Sequence, residues 1–197
     1  MSAGNILVLV RHSVPEIDPH RPAHEWALSA DGCRRAGQLA AWLAAYGLDL
    51  LVSSEEQKAV QTAAIAGEEL GLPVVITPGL HEQDRSGAIG LDHGQFHDRV
   101  ARMFSHPSER VLGTESADEA RERFSRTLAR VLARHPGQNL GVVAHGTVLS
   151  LFVAEREGTD PYGLWQSLGM PCAFVLSRDD LRVVEWVPEV PALPRGR

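Results

Sequence analysis

The stretch Asn5-Ile-Leu-Val-Leu-Val-Arg-His12 decides the fold of this chain. Its centre, Ile6 to Val10, is β-branched or aliphatic throughout, which predicts a strand buried on both faces, as in a parallel sheet. The run ends abruptly at Arg11 and His12, and Pro15 follows. Two ionisable side chains therefore lie at the carboxyl end of a central strand, which is where open α/β sheets bind ligands. The alternative is a strand end that simply turns into solvent.

A second apolar strand is predicted far along the chain, over Asn139 to Ala144, and it also ends in a histidine, His145. If both strands belong to one parallel sheet, His12 and His145 meet at the same edge. The backbone N–H groups from Gly146 onward then begin a helix, and helix N-termini bind anions. Positive side chains beside a nucleophilic imidazole suit phosphoryl transfer, in which catalysis is mostly positioning and charge stabilisation.

Strands and helices alternate along most of the chain, which predicts a three-layer α/β/α sandwich with a mostly parallel central sheet. A closing hairpin should add an antiparallel edge. Apolar periodicity, caps and breakers predict strands at 6–10, 49–52, 73–76 and 139–144, helices at 29–46, 55–70, 114–135 and 148–157, a partly helical stretch near 96–104, a connector at 165–171, and hairpin strands at 173–176 and 181–186.

The domain organisation follows from length and from the position of the irregular segments. A chain of 197 residues predicts one domain, assigned to residues 1–187. The segment at about 78–116 has few apolar runs and is predicted to be a lid-like insertion over the sheet, because loops of this length are uncommon unless they are functional. Residues 188–197 are rich in proline and are expected to be a loosely held tail.

Composition excludes several classes of function. The formal net charge of −6 argues against nucleic acid or an anionic membrane as the main partner. The chain start has no basic segment before its apolar run, and that run is too short for a signal peptide or a membrane span, so we expect a cytoplasmic protein. Two cysteines, Cys33 and Cys172, are too few for a disulfide framework or a zinc site.

Several short motifs follow one another in order between residues 5 and 152. They are Leu9-Val-Arg-His-Ser13, Leu28-Ser-Ala-Asp-Gly32, Ser53-Ser-Glu-Glu-Gln-Lys-Ala-Val-Gln-Thr-Ala63, Leu80-His-Glu82, Gly113-Thr-Glu-Ser116 and Ala144-His-Gly146. Each motif is weak alone, but together they resemble the histidine phosphatase superfamily, also called phosphoglycerate-mutase-like. The resemblance covers most of the chain and implies that fold and a phosphatase activity.

Three features depart from the family's pattern. Ser13 replaces the usual glycine, and Lys58 replaces the usual arginine. Lysine keeps the positive charge but loses the bidentate fork, although it remains a competent phosphate binder as a point charge. The family's Glu-Thr-x-x-Asn segment is absent after His12, so the phosphate contacts made from that loop are not carried over.

The resemblance implies a covalent mechanism on two side chains. His12 would attack phosphorus and form a phosphohistidine. Its attacking nitrogen must be unprotonated, and its other nitrogen should donate to a backbone carbonyl, which fixes the tautomer. Glu82 would protonate the leaving alkoxide and then deprotonate the water that cleaves the phosphohistidine.

The resemblance also implies how the phosphoryl group is held. Arg11, Lys58 and a protonated His145 would bind its oxygens, together with the backbone of Gly146. No metal or other cofactor is implied, because this cationic cluster replaces one. The expected partner is a small phosphorylated substrate, a phosphoprotein is not excluded, and the oligomeric state is left open.

Each assignment has an alternative. Arg11 could form a surface salt bridge, Lys58 could be a solvated helix residue, and His145 could be a satisfied core histidine. Asp84 or Glu16 could be the acid in place of Glu82. Arg85 fits a contact with substrate and a surface position equally well.

Three other functions compete with a phosphatase. One is a non-catalytic binder of phosphorylated ligands on the same scaffold, and another is a phosphoglycerate-type mutase. The third is a metal hydrolase, because His93 and His97 have the i,i+4 spacing of some zinc pairs, although no third ligand is evident.

Overall fold

The apolar run near the start of the chain forms β1 (Ile6–Arg11), an interior strand of a six-stranded sheet. The structure is a computed structural model that describes residues 6–18 and 20–190. The remaining strands are β2 (Leu50–Ser53), β3 (Val74–Ile76), β4 (Leu140–Ala144), β5 (Cys172–Ser177) and β6 (Val183–Val187). Their order across the sheet is β3-β2-β4-β1-β5-β6.

The sheet is parallel from β3 to β1 and antiparallel from β1 to β6. The predicted fold class is therefore confirmed, including the antiparallel edge supplied by the closing hairpin. The register pairs Arg11 at the end of β1 with Ala144 at the end of β4. The ladder continues one step further, because His12 N–H donates to the Ala144 carbonyl at 3.0 Å. The two strands thus end side by side, each just before its histidine.

Helices cover both faces of the sheet and form the two outer layers. They are α1 (Ala30–Leu43), α2 (Gln57–Leu70), α3 (His93–Ser105), α4 (Ala117–Arg134), α5 (Gly146–Glu157) and α6 (Pro161–Ser167). Apolar side chains of α1 and α2 pack on one face, and those of α4 and α5 pack on the other. A smaller cluster joins α3 to α4, α5 and α6. None of the helices in the described residues is long and apolar enough to cross a membrane.

Helix caps explain the helix boundaries. The predicted capping box forms at α4, where Ser116 Oγ accepts from Glu119 N–H and the Glu119 carboxylate accepts from Ser116 N–H. The connector prediction over 165–171 was partly wrong, because α6 extends to Ser167. The Asp160 carboxylate caps this helix and Pro161 occupies its first turn, a pairing of cap and proline that the prediction overlooked.

The end of the described chain is anchored. Gly169 N–H donates to the Pro188 carbonyl at 2.7 Å, and Val190 N–H donates to the Pro171 carbonyl at 2.9 Å. Val190 is buried against the sheet. The prediction of a loose tail from residue 188 was therefore wrong for 188–190, because tertiary contacts hold them. The rest of that prediction, 191–197, lies outside the described residues.

Candidate active site

His12 follows β1 directly and is only 6% exposed. Its Nδ1 lies 2.7 Å from the Ser13 carbonyl oxygen. A carbonyl can only accept, so Nδ1 carries the ring proton and Nε2 keeps a free lone pair. Burial lowers the pKa of His12 well below its ordinary value, and His145 in its protonated form, Lys58 and Arg11 lower it further. The imidazole is therefore neutral and nucleophilic at neutral pH.

His145 lies against His12, with the two ring centroids 5.1 Å apart. It is completely buried, and its Nε2 lies 2.8 Å from Ser54 Oγ. Burial lowers the pKa of His145 to about 4, although the nearby Glu56 carboxylate works in the opposite direction. The expectation of a protonated His145 is therefore not met in the free site, where the ring is neutral at pH 7.

One large cavity, of about 920 Å³, opens above His12. We call its buried and half-buried charged wall the floor, which comprises Arg11, His12, Glu56, Lys58 and Glu82. We call its apolar outer wall the rim, which comprises Pro15, Ile17, Pro22, Trp26, Ile89 and Met170. Four of the residues predicted from the sequence thus share the floor, whereas His145 and Gly146 lie behind it.

Lys58 is 5% exposed, so the alternative of a solvated helix residue is wrong. It sits in the first turn of α2, and its Nζ donates to the Ala23 carbonyl at 2.7 Å. The same Nζ forms an ion pair with Glu56 Oε2. Lys58 therefore points into the floor, but its charge is already compensated in the free site.

Glu56 is a side chain of the floor that the sequence analysis does not identify. Its Oε1 accepts a hydrogen bond from Glu82 N–H at 2.8 Å and lies 3.8 Å from His145 Nε2. The backbone N–H of Glu56 donates to Ser54 Oγ at 3.2 Å. Burial opposes ionisation of this carboxyl, but His145 in its protonated form and Lys58 outweigh it and lower its pKa to about 2. The Glu56 carboxylate thus connects Glu82 and Lys58 on the floor to His145 behind it.

Helical spacing rules explain why Glu56 was overlooked. Residues two apart on a helix do not face each other, so the predicted helix over 55–70 does not indicate Glu56 and Lys58 as a pair. Glu56 is the N-cap residue of α2, however, and its backbone is extended (φ −71°, ψ 137°). This conformation lets its side chain reach Lys58. The sequence contains one sign of this contact, which is an acidic and a basic residue close together near the start of the predicted helix.

The carboxylate of Glu82 binds the N-terminus of α5. It accepts from Thr147 N–H at 3.0 Å and from Val148 N–H at 3.2 Å, and Arg85 lies 3.3 Å away. Burial works against ionisation, but the attraction of Arg85, that of His145 in its protonated form, and the backbone N–H groups lower the pKa of Glu82. The predicted anion site at this helix start is thus filled by the protein's own carboxylate, and Glu82 is ionised at rest.

Gly146 and Arg11 are packed against each other. A Cβ at Gly146 would lie 3.1 Å from Arg11 Nε, a tight contact that would require the guanidinium to shift by a few tenths of an ångström. Arg11 Nη1 donates to the Leu168 carbonyl at 2.7 Å, and Arg11 Nε is buried without a hydrogen-bond partner among the described residues. Arg11 is therefore held in the wall of the cavity, and the surface salt bridge considered from the sequence is not formed.

The alternative acids are less suitable than Glu82. Glu16 is exposed and does not line the cavity. The Asp84 carboxylate accepts from Thr114 N–H and Oγ1, both at 2.6 Å, and from Ser86 N–H, contacts that overcome burial and lower its pKa to about 2. Asp84 therefore holds its loop in place. Arg85 lines the cavity and donates to Thr147 Oγ1 at 2.6 Å, which places it beside the acid.

The histidine pair considered as a metal site lies on α3. His93 and His97 have ring centroids 4.4 Å apart, and His93 is exposed. Within residues 6–18 and 20–190 no third histidine, cysteine, aspartate or glutamate joins them to complete a metal-binding group. The structure thus provides no observation in favour of metal hydrolysis at this pair.

Comparison with known proteins places most of the chain in one family. The model of the histidine phosphatase superfamily (branch 1) matches residues 7–185. The uncharacterized phosphatase PhoE of Bacillus subtilis is 29% identical over 134 residues, covering 68% of this chain and 66% of PhoE. The bifunctional protein Rv2228c of Mycobacterium tuberculosis is 30% identical over 155 residues, covering 75% of this chain and 43% of that protein. This chain thus spans less than two thirds of the length of these relatives.

A solved structure shows the same fold at low sequence identity. It is the mycobacterial glucosyl-3-phosphoglycerate phosphatase Rv2419c, with a TM-score of 0.77 and 21% identity. The superposition covers 93% of this chain and 99% of the other. Sheet order and the two adjacent strand ends are therefore features of a shared architecture.

Proposed function

This chain belongs to the histidine phosphatase superfamily, and we propose that it hydrolyses phosphate monoesters through a phosphohistidine formed on His12. The observation that carries the proposal is the tautomer of His12. Its Nδ1 proton is bound to the Ser13 carbonyl, which leaves the Nε2 lone pair free in a ring that burial keeps neutral. The relatives named as phosphatases support the same reaction.

In the first step, Nε2 of His12 attacks phosphorus. The new N–P bond forms as the bond from phosphorus to the ester oxygen breaks, and the leaving oxygen takes that electron pair. The nitrogen becomes formally positive, and the adjacent Nδ1–H shares this charge with the Ser13 carbonyl oxygen, which accepts its hydrogen bond more strongly. In the second step a water oxygen attacks phosphorus, the N–P bond returns its electrons to Nε2, and phosphate is released.

The leaving oxygen needs a proton, and we assign that task to Glu82. Its carboxyl is ionised at rest, held by two N–H groups of α5. A substrate dianion entering beside it disfavours its negative charge and so raises its affinity for a proton. The proton passes to the leaving oxygen in the first step, and the carboxylate recovers a proton from the attacking water in the second.

Three groups are proposed to stabilise the phosphoryl oxygens. Arg11 and Lys58 line the cavity beside His12, and His145 lies directly behind it. Gly146 contributes by admitting the Arg11 guanidinium. The negative charge of bound phosphate favours the imidazolium form of His145, which explains how a ring that is neutral in the free site serves as a cation in the complex.

Glu56 is proposed to restrain this cationic cluster. In the free site its carboxylate neutralises Lys58 and lies near His145. Phosphate must therefore compete with Glu56 for Lys58, which lowers affinity for substrate and for the phosphate product alike. Weaker product binding favours product release, a step that limits the rate of many enzymes.

The wider organisation is part of the proposal. We propose residues 1–187 as one functional domain, in which the segment 78–116 covers the cavity, and a cytoplasmic location. The substrate is proposed to be a small phosphorylated molecule, since the ester must reach a nucleophile that is almost completely buried.

A panel of phosphate monoesters tests the proposal, with each ester assayed in the presence and absence of a chelator. We expect release of phosphate that the chelator does not change, and inhibition by vanadate, which mimics the five-coordinate phosphorus of the transition state. Tight binding of phosphate without turnover would instead support a non-catalytic binder. Phosphate exchange between phosphoglycerates without hydrolysis would support a mutase, and activity lost with chelator and restored by zinc would support a metal hydrolase.

A further inference from the structure

The rim of the cavity has a chemistry that the proposed hydrolysis does not require. Two of its isoleucines are among the most exposed large apolar side chains of the described residues: Ile17 is 69% exposed and Ile89 is 64% exposed. Both line the same cavity as His12. Apolar side chains that remain open to water around a binding cavity are typical of a surface that a ligand covers.

The rim is built from two separate loops that are each held in shape. Ile17 lies in the loop after β1, which is closed by Glu16 N–H donating to the Ala27 carbonyl at 2.9 Å. Ile89 lies in the segment after β3, where Gly87 N–H donates to the Leu112 carbonyl at 2.8 Å. Each of the two loops thus contributes one isoleucine to the same cavity. We conclude that the apolar character of the rim is a property of the site.

Trp26 extends the apolar surface of the first loop. Its Nε1–H donates to the Asp18 carbonyl at 2.9 Å and to the Arg21 carbonyl at 3.1 Å. The polar atom of the indole is therefore satisfied within its own loop, and the ring is available for apolar contact with a ligand.

The charges on the cavity wall disfavour substrates that carry a second anionic group. Arg11, Lys58 and Arg85 are the arginines and lysines among the described wall residues, and all three lie at or beside the floor. Away from the floor the wall carries the carboxylates of Glu55, Asp84 and Glu115, together with His24 and His81. Glu55 is paired with His81, and Glu115 with Arg123, so Asp84 is the one of these carboxylates whose described partners are all uncharged. A second phosphate or a carboxylate on the substrate would therefore find no arginine or lysine on the described wall away from the floor, and it would lie near the carboxylate of Asp84.

We infer that the physiological substrate is a phosphate monoester whose leaving group is uncharged and predominantly apolar, an alkyl or aryl alcohol that is covered by the rim. This inference rests on the proposed hydrolysis and names its substrate class. It separates this chain from an enzyme that acts on phosphoglycerates, whose carboxylate needs a cation of its own.

A series of straight-chain alkyl phosphates tests the inference. Their leaving groups have nearly equal basicity, so chain length changes contact with the rim and leaves the intrinsic reactivity unchanged. We expect kcat/KM to rise about twofold to fourfold for each methylene from ethyl to hexyl phosphate, the range given by partial to full burial of a CH₂ group. Adding a terminal carboxylate to butyl phosphate should lower kcat/KM by about tenfold or more, since like charges meet on the wall.

Variants of the rim complete the test. Ile17→Asn and Ile89→Asn should flatten the dependence on chain length and leave the inhibition constant of inorganic phosphate unchanged. Ile76→Asn is the matched control, because Ile76 is 52% exposed on β3 and does not line the cavity. This variant should keep the wild-type dependence.

The outcomes separate the inference from the function on which it rests. Turnover of all esters with no dependence on chain length, or a preference for the carboxylate ester, would overturn the apolar leaving group and leave hydrolysis in place. Absence of turnover, together with dissociation constants from calorimetry that fall with chain length, would support the apolar subsite and overturn hydrolysis.

Discussion

The floor and the rim of one cavity differ in almost every physical property. His12, Lys58 and Glu56 on the floor are buried, paired and surrounded by hydrogen bonds, whereas Ile17 and Ile89 on the rim are open to water. Buried charges affect one another strongly, because little solvent screens them, and exposed apolar groups affect only what touches them. We therefore expect changes on the floor to alter rate, pH dependence and stability together, and changes on the rim to alter substrate choice alone.

The largest expected effect is the loss of the nucleophile. His12→Ala should lower kcat by about a thousandfold or more, because removing a covalent catalyst normally costs orders of magnitude. Circular dichroism should show an intact fold. His93→Ala is the control, since His93 is exposed on α3 and should leave the rate unchanged. Activity of the His12 variant within tenfold of wild type would remove His12 from the mechanism.

The second effect concerns the cation of the floor. Lys58→Ala should lower kcat/KM by about one to two decades, the value of a charge-assisted contact of roughly 1.5–3 kcal/mol. It should also lower the free energy of unfolding by about 3–5 kcal/mol, because Glu56 becomes a buried carboxylate that has lost its lysine partner. Lys58→Arg should keep activity.

A double variant separates these two consequences of losing Lys58. Glu56→Gln combined with Lys58→Ala should recover most of the free energy of unfolding, as measured with urea, but not the lost kcat/KM. If the single Lys58→Ala variant is as stable and as active as wild type, the ion pair on the floor contributes neither to folding nor to catalysis.

The third effect is a pH dependence of stability that arises from the buried histidine. The pKa of His145 is about 4 in the folded chain and about 6.5 in an unfolded one. The unfolded state therefore binds the extra proton below pH 6.5, and stability falls as the pH falls from 6.5 towards 4, by about 1.4 kcal/mol for each pH unit. His12, whose pKa is lowered in the same direction, adds to this slope.

Urea unfolding at pH 7, 6 and 5 measures this dependence. His145→Asn should have a shallower slope of unfolding free energy against pH than wild type, whatever its absolute stability. His93→Asn should keep the wild-type slope, because its side chain is exposed. Equal slopes for wild type and His145→Asn would contradict a neutral buried ring.

The fourth effect is smaller and opposite in sign. Glu56→Gln removes a negative charge beside the phosphate-binding groups and keeps the shape of the side chain. Inorganic phosphate should then inhibit about threefold to tenfold more strongly at pH 7, because a like charge no longer opposes it. Weaker inhibition by phosphate would mean that Glu56 supports phosphate binding, contrary to the proposed restraint.

The smallest effect belongs to the rim. Ile17→Asn should change the free energy of unfolding by less than about 0.5 kcal/mol, as for surface substitutions that leave no cavity. A large loss of stability would show that this isoleucine is part of the packing of its loop. It would contradict the expectation that changes on the rim alter substrate choice alone.

The sequence predicts the floor better than the rim for a physical reason. Arg11 and His12 end an apolar strand, and strand ends are readable from a local pattern that parallel pairing then brings together. The role of Glu56 on the floor was not predicted, because its extended backbone at the helix start depends on the turn before α2. The neutral state of His145 was not predicted either, because the burial of its side chain depends on how the helices pack on the sheet.

The rim could not be derived from the sequence, since its residues come from two loops far apart in the chain. Nothing local marks Ile17 or Ile89 as partners in one cavity. Loop geometry follows from distant contacts such as Lys58 Nζ with the Ala23 carbonyl. The segment 78–116 is therefore recognised as functional by its length alone.

The most direct test of the account is to trap the phosphorylated enzyme. Labelled phosphate ester is mixed with enzyme, the reaction is stopped with alkali within the first turnover, and the label is located by peptide mass spectrometry. A phosphorus–nitrogen bond survives alkali and breaks in acid. The account predicts an acid-labile phosphoryl group on His12 that is absent from His12→Ala. Turnover at the normal rate with no label on His12 at any quench time, or with label on another residue, would contradict it.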